Sequence, residues 1–130
     1  MLATWLYVST STLGQNADDE IASIWSIARV RNPELGLTGV LLFSGLHFAQ
    51  FLEGSDAELK RMKTSICRDK RHTGLLTLQT HPTEQRRYAR WALAYAGRAT
   101  AIDRVLSDAL RGHDGRELLD YMDRFVADIC

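Results

Sequence analysis

The sequence predicts an α+β fold in which two helices cross over one mixed sheet. Three observations carry this. Short stretches rich in aliphatic, aromatic and β-branched residues alternate with two stretches of helical periodicity, in the order strand, helix, strand, strand, helix, strand, strand. Turn or capping residues bound each stretch. With 130 residues, the chain has room for one continuous core.

The first strand runs from Leu2 to Val8, and the Ser/Thr/Gly/Asn stretch from Ser9 to Asn16 reads as a loop. Asn16 is placed to cap the first helix, with Asp18, Asp19 and Glu20 complementing its dipole. Ile21, Ile24, Trp25 and Ala28 recur at helical spacing and form its buried stripe. Asn32-Pro33 ends it, because a residue before proline is driven out of helical geometry. Gly36 and Gly39 frame the turn into a second strand over Val40 to Phe43, and Ser44-Gly45 makes a hairpin into a third over Leu46 to Glu53. Ser55 and Glu58 have capping-box spacing, and Leu59, Met62 and Ile66 give the second helix its stripe, ending near Asp69. Leu75 to Leu78 and Tyr88 to Tyr95 read as two more strands, parted by a polar turn around Pro82. The resulting βαββαββ order predicts a ferredoxin-like mixed sheet with both helices on one face and the first and third strands side by side. Residues 1–97 form this core. The extension, 98–130, carries two amphipathic helices, 102–110 and 114–128, within the same compact unit. They need a surface to cover, either the other sheet face or a neighbouring subunit.

Sixteen basic and sixteen acidic residues cancel, which argues against nucleic acid or a membrane surface as partner. Cys67 and Cys130 lie far apart without ligand-spaced companions, so neither a metal site nor a disulfide framework is expected. No leader and no run near the ~18 apolar residues of a membrane span is present, and a cytoplasmic protein is expected. Serines near Tyr7 have no His and acid in a triad relation, and no glycine-rich phosphate loop accompanies an arginine; no enzymatic activity is predicted.

One residue is oddly placed. In the third strand Phe48, Gln50 and Leu52 share a face, so a primary amide stands between apolar neighbours. Burying it unpartnered costs about 1–3 kcal/mol, so polar groups must meet both its ends. Tyr7 on the adjacent strand can supply a hydroxyl and Asn32 a second amide, around a space between the first helix and the sheet that suits a ligand with several hydrogen-bonding edges. The plainer reading stays open: Gln50 ties down a backbone, Tyr7 is a core tyrosine and Asn32 a turn residue.

An ordered set of segments resembles the BLUF domains, blue-light sensors using FAD. It comprises Leu6-Tyr7-Val8-Ser9, Asn32-Pro33 leading to Gly36-Leu37-Thr38-Gly39-Val40-Leu41-Leu42, Phe48-Ala49-Gln50-Phe51-Leu52-Glu53-Gly54, Asp69-Lys70-Arg71-His72 and Arg86-Arg87-Tyr88-Ala89-Arg90-Trp91. The resemblance implies a flavin standing between the two helices, FAD by preference, with FMN or riboflavin as alternatives. It makes Tyr7 and Gln50 the photoactive pair, with Trp91 beside them. In the family the excited flavin takes an electron and a proton from the tyrosine, and their return leaves the glutamine amide rearranged. Asn32 would hold the pyrimidine edge, Ile24 and Ile66 would be apolar walls, and Asp69, Arg71 and His72 would lie towards the ribityl-phosphate. Two departures stand out: Leu93 replaces a frequent methionine, and Arg31 replaces an amide found in some members. Output is expected through contacts with an unidentified protein or a homo-oligomeric partner. The rival is a light-insensitive ferredoxin-like module binding a ligand or protein.

Overall fold

A computed structural model of the chain describes residues 1–14, 17–44, 46–95, 111, 116 and 118–120. Seven elements follow in the predicted order: β1 (Leu2–Ser11), α1 (Ala17–Glu34), β2 (Thr38–Phe43), β3 (His47–Ser55), α2 (Asp56–Cys67), β4 (His72–Thr83) and β5 (Trp91–Tyr95). The sheet order is β4-β1-β3-β2-β5, antiparallel throughout except for the parallel β2–β5 pair. This is the expected ferredoxin-like arrangement, with β1 beside β3 and Tyr7 directly opposite Gln50.

Several boundaries move, each for a physical reason. β1 continues through Ser9 to Ser11 because β3 and β4 pair with it on both sides, and ladder hydrogen bonds override weak strand propensity. Its pairing with β4 slips between Leu6 and Tyr7, an irregularity of the kind that re-aims side chains beside functional sites. Helix α1 does not stop at Asn32 but runs through Pro33 to Glu34. Its true terminator is Gly36, whose φ of 69° opens a left-handed turn: Leu37 N–H donates to the Asn32 carbonyl at 2.8 Å and Gly36 N–H to the Pro33 carbonyl at 3.0 Å. That double bond pattern is a Schellman close, and it fixes Asn32 in the last turn.

Pro82 is not in a turn. It lies within β4, an edge strand of the sheet, where a missing N–H costs no ladder bond on the open side. Strand β5 starts at Trp91 rather than Tyr88. Ser55 caps α2 as predicted, accepting from Glu58 N–H at 3.3 Å. The Ser44 hairpin forms, with Ser44 N–H donating to the His47 carbonyl at 3.1 Å. The capping role given to Asn16, the residue Gly45 and most of the two C-terminal helices lie outside the described residues.

Both sheet faces are buried. Trp5, Tyr7, Leu41, Phe43, Phe48 and Leu52 form the core with Ile21 and Ala28 of α1 and Leu59 and Met62 of α2. On the far face Leu6, Val8, Val40, Leu42 and Ala49 have no solvent exposure. Leu118 and Leu119, in helical conformation, are buried too, and Leu119 lies with Thr4 and Phe51 along a far-face groove. Leu119 thus reaches the face that the crossover helices leave bare. Among the described residues no helix is long and apolar enough to cross a membrane.

Candidate functional site

The nine site residues expected from the sequence line one cleft, open to solvent, between α1, α2 and the sheet. Ile24 comes from α1 and Ile66 from α2, both half-buried against the core. The sheet supplies Tyr7, Gln50 and Trp91, the turn after α2 supplies Asp69 and Arg71, and His72 opens β4.

At the floor, three side chains form a linear relay. Gln50 Nε2 donates to the Tyr7 hydroxyl at 2.8 Å, and the Trp91 indole N–H donates to Gln50 Oε1 at 3.2 Å. The buried amide therefore has a partner at each end, as its burial demands. Burial pushes the Tyr7 phenol well above its ordinary value; the Gln50 hydrogen bond lowers it, and nearby Asp69 and Cys67 raise it further. Tyr7 is thus a neutral phenol at any ordinary pH. Its oxygen accepts from Gln50, and its own proton remains available to donate.

Asn32 decides between the ligand reading and the plain one. Its side chain is 3% exposed, lines the cleft, and its Oδ1 has no hydrogen-bond partner. A buried carbonyl left unpaired costs roughly 1–3 kcal/mol, so its natural complement is a donor brought by a ligand. The donor set fits a flavin: amides and a phenol at the sheet for a ring with several hydrogen-bonding edges, and isoleucines on two sides for its flat faces. The orphaned atom and the cleft favour a bound ring over Asn32 as a mere turn residue.

The turn after α2 is stiffer than expected. Arg71 Nε donates to both Asp69 oxygens at 2.9 and 3.0 Å, Arg71 backbone N–H adds a bond at 3.0 Å, and Glu20 lies 3.8 Å away. Arg71 holds the Asp69 carboxyl below its usual range, and Asp69 in turn raises the guanidinium. Thr12 anchors the turn to the end of β1 through the Lys70 and Arg71 carbonyls. His72 lines the cleft, but both ring nitrogens are engaged: Nε2 with the Ile66 carbonyl and Nδ1 with Ser9 Oγ, each at 2.7 Å. The carbonyl requires a proton on Nε2, so His72 ties α2 to β1.

The profile of a family described as sensors of blue-light using FAD matches residues 2–94. The chain belongs to the BLUF family. It is therefore a blue-light sensor domain that uses FAD, with the photoreceptor signalling function of that family. It is 37% identical over 94 residues to the blue light- and temperature-regulated antirepressor BluF of Escherichia coli K12, covering 69% of this chain and 22% of that protein. The α subunit of the photoactivated adenylate cyclase of Euglena gracilis is 33% identical over 87 residues, 66% of this chain and 8% of the cyclase subunit. The chain thus spans less than a quarter of the length of these relatives. The dark-state structure of the BLUF protein BlrB superposes with a TM-score of 0.76 at 30% identity, covering 99% of this chain and 97% of that one.

Sequence reasoning missed a polar cluster on the far face. Glu53, wholly buried, accepts from Thr38 Oγ1 at 3.1 Å, Tyr88 N–H at 2.7 Å and Arg87 N–H at 2.8 Å. Arg86 adds bonds to Thr38 Oγ1, the Glu53 carbonyl and the Gly36 carbonyl. The signal was available, since Glu53 is a charged residue inside an apolar strand. Arg31 lines the cleft and reaches Met62 Sδ at 3.9 Å. The side chain of Leu93 lies outside the described residues; its backbone pairs with Leu41.

Proposed function

We propose that the Tyr7–Gln50–Trp91 relay is the light switch of this domain, with Asn32 taking the pyrimidine edge of the flavin, Ile24 and Ile66 flanking its ring, and Arg71, steadied by Asp69, facing its polar chain. The observation that carries this reading is the buried Gln50 amide, bonded at one end to a phenol and at the other to an indole, beside a cleft that holds an orphaned carbonyl. When bound, the flavin supplies blue-light absorption and, once excited, a strong one-electron oxidant.

Tyr7 Oη holds its proton firmly in the dark. A phenol that gave up both its electron and its proton to a bound flavin would leave Gln50 Nε2 donating to an oxygen that could only accept, so the bond seen here would have a changed partner. When electron and proton return, the amide can settle reversed or tautomerised, because its two ends differ in hydrogen-bonding character but little in shape. No covalent bond changes. Trp91, a donor only, then meets a different group, and strand β5 carries the change outward.

The output is contact with another protein or a second copy of the chain, with no catalysis by this domain, in the cytoplasm. Supporting this is the variety of proteins that carry the same domain, an antirepressor in one case and an adenylate cyclase in another. The test is the visible spectrum of the purified protein in the dark and just after blue light. A flavin spectrum with a small reversible red shift is expected. A flavin spectrum that does not move overturns the switch, and no flavin after reconstitution with FAD, FMN or riboflavin overturns the site.

A further inference from the structure

A glutamine amide has two orientations of nearly equal shape, and Tyr7 cannot choose between them, since a hydroxyl both donates and accepts. Trp91 can. Its indole N–H only donates, so while it faces Gln50 it demands the carbonyl end, as found at 3.2 Å. The amide is therefore only as well oriented as Trp91 is held. The sheet holds it weakly: Trp91 opens β5, an edge strand, and its partner across the ladder is Gly39, which has no side chain to pack against it. Nor can that position be filled, because φ at Gly39 is 144° and a Cβ there would lie 1.8 Å from the Phe51 carbonyl oxygen.

Helix α1 supplies what the sheet lacks. Trp25 was expected in the buried stripe but is 41% exposed, so core burial does not account for it. Its ring instead lies 5.9 Å from that of Trp91 with 24° between planes, a stacked pair, while Trp91 itself is 7% exposed. We propose that Trp25 is a positioning residue for the switch: stacked on Trp91, it keeps that indole turned inward on the Gln50 carbonyl and thereby sets which way the amide points in the dark. The dark geometry stands on these contacts alone, and only its light-dependent consequence rests on the photoreceptor reading above.

The test uses the full-length, flavin-loaded protein labelled with ¹⁵N and kept in the dark, with the Trp91 indole N–H assigned by its loss in Trp91→Phe. An aromatic stack biases a conformational equilibrium by about two- to tenfold. Trp25→Ala is expected to speed hydrogen exchange of the Trp91 indole N–H by that factor and to shift its resonance towards that of a solvated indole. Trp25→Phe, which keeps a ring to stack, restores both. Trp25 is 41% exposed and lies outside the core cluster, so neither variant threatens the fold. Unchanged exchange in Trp25→Ala overturns the proposal, as does equal loss in the alanine and phenylalanine variants. If the indole responds as expected but the parent protein shows no light-induced red shift, the positioning role stands and the photoreceptor reading falls.

Discussion

Strand β3 carries two buried polar side chains on opposite faces of the sheet, and they are held in opposite ways. Gln50 faces the cleft, and its partners are the side chains of Tyr7 and Trp91. Glu53 faces away, and two of its three donors are backbone N–H groups of the segment leading into β5. A reversed amide exchanges donor for acceptor with little change of shape; the Tyr7 hydroxyl can follow by donating, whereas the Trp91 indole N–H loses its acceptor. A carboxylate only accepts, and backbone N–H groups only donate, so the far-face cluster has one arrangement. With the relay as the proposed switch, one face changes while the other stays fixed, and both lead into Trp91: Gln50 through its indole, Glu53 through the backbone that precedes it. The fixed side gives the changing side something to move against.

The sharpest way to break this comparison is at its mobile half. Gln50→Leu and Tyr7→Phe are each expected to retain flavin and to lose the red-shifted product completely, read by the difference spectrum after a blue flash. A normal shift in either variant would place the switch elsewhere. The fixed half predicts a different kind of loss. Glu53→Ala removes the carboxylate from the buried N–H of Tyr88 and the part-buried N–H of Arg87, so stability should drop by about 1–3 kcal/mol in urea unfolding. Flavin should still bind, and the red shift should keep its normal size. A Glu53 variant with full stability but no red shift would reverse the roles of the two faces.

The two halves were unequally legible in the sequence. Gln50 announced itself because an amide between Phe48 and Leu52 breaks an apolar pattern, and the same test applied to Glu53 would have exposed the second cluster. The order of elements was readable from periodicity and caps, since Ser55, Gly36 and the apolar stripes act locally. The boundaries that failed depend on neighbours: Ser9 to Ser11 are strand because β3 and β4 flank them, and Pro82 is strand because its side of β4 is an edge. Pro33 misled for another reason. A prolyl ring disfavours the helix before it, but the Gly36 close two carbonyls further on repaid that preference. Trp25 read as core because helical spacing cannot distinguish a residue under the sheet from one leaning over its edge. The Asp69–Arg71 pairing joins residues only two apart, whereas the capture of both His72 nitrogens required β1 and α2 in place.

Asn32 offers a smaller test of the cleft side, with two signs to check. Its orphaned carbonyl makes it a net cost without ligand and a contact with it. Asn32→Ala should leave the flavin-free protein as stable or slightly more so, yet weaken flavin binding about tenfold, the worth of one good hydrogen bond. Fluorescence titration and urea unfolding of the flavin-free protein measure the two halves. Equal binding by the variant would return Asn32 to the fixed part of the structure, as a helix-end residue and nothing more.

The smallest effect separates the cleft mouth from its floor. Arg71 lowers the Asp69 pKa relative to the unfolded chain, so the folded protein binds fewer protons there. The pair's contribution is therefore fully present above the ordinary carboxylate value of about 4 and disappears as pH falls through the lowered value. Both side chains are about a third exposed, which screens the pair and limits its worth to under about 1 kcal/mol. Asp69→Asn should cost that amount at pH 6 and progressively less towards pH 3, by urea unfolding at each pH. The red shift should be untouched across the range, because the relay below contains no group that titrates there: Tyr7 is neutral and Gln50 and Trp91 carry no charge. A red shift that followed the Asp69 titration would tie the mouth to the floor, and the responsive region would then extend from Gln50 to the turn after α2.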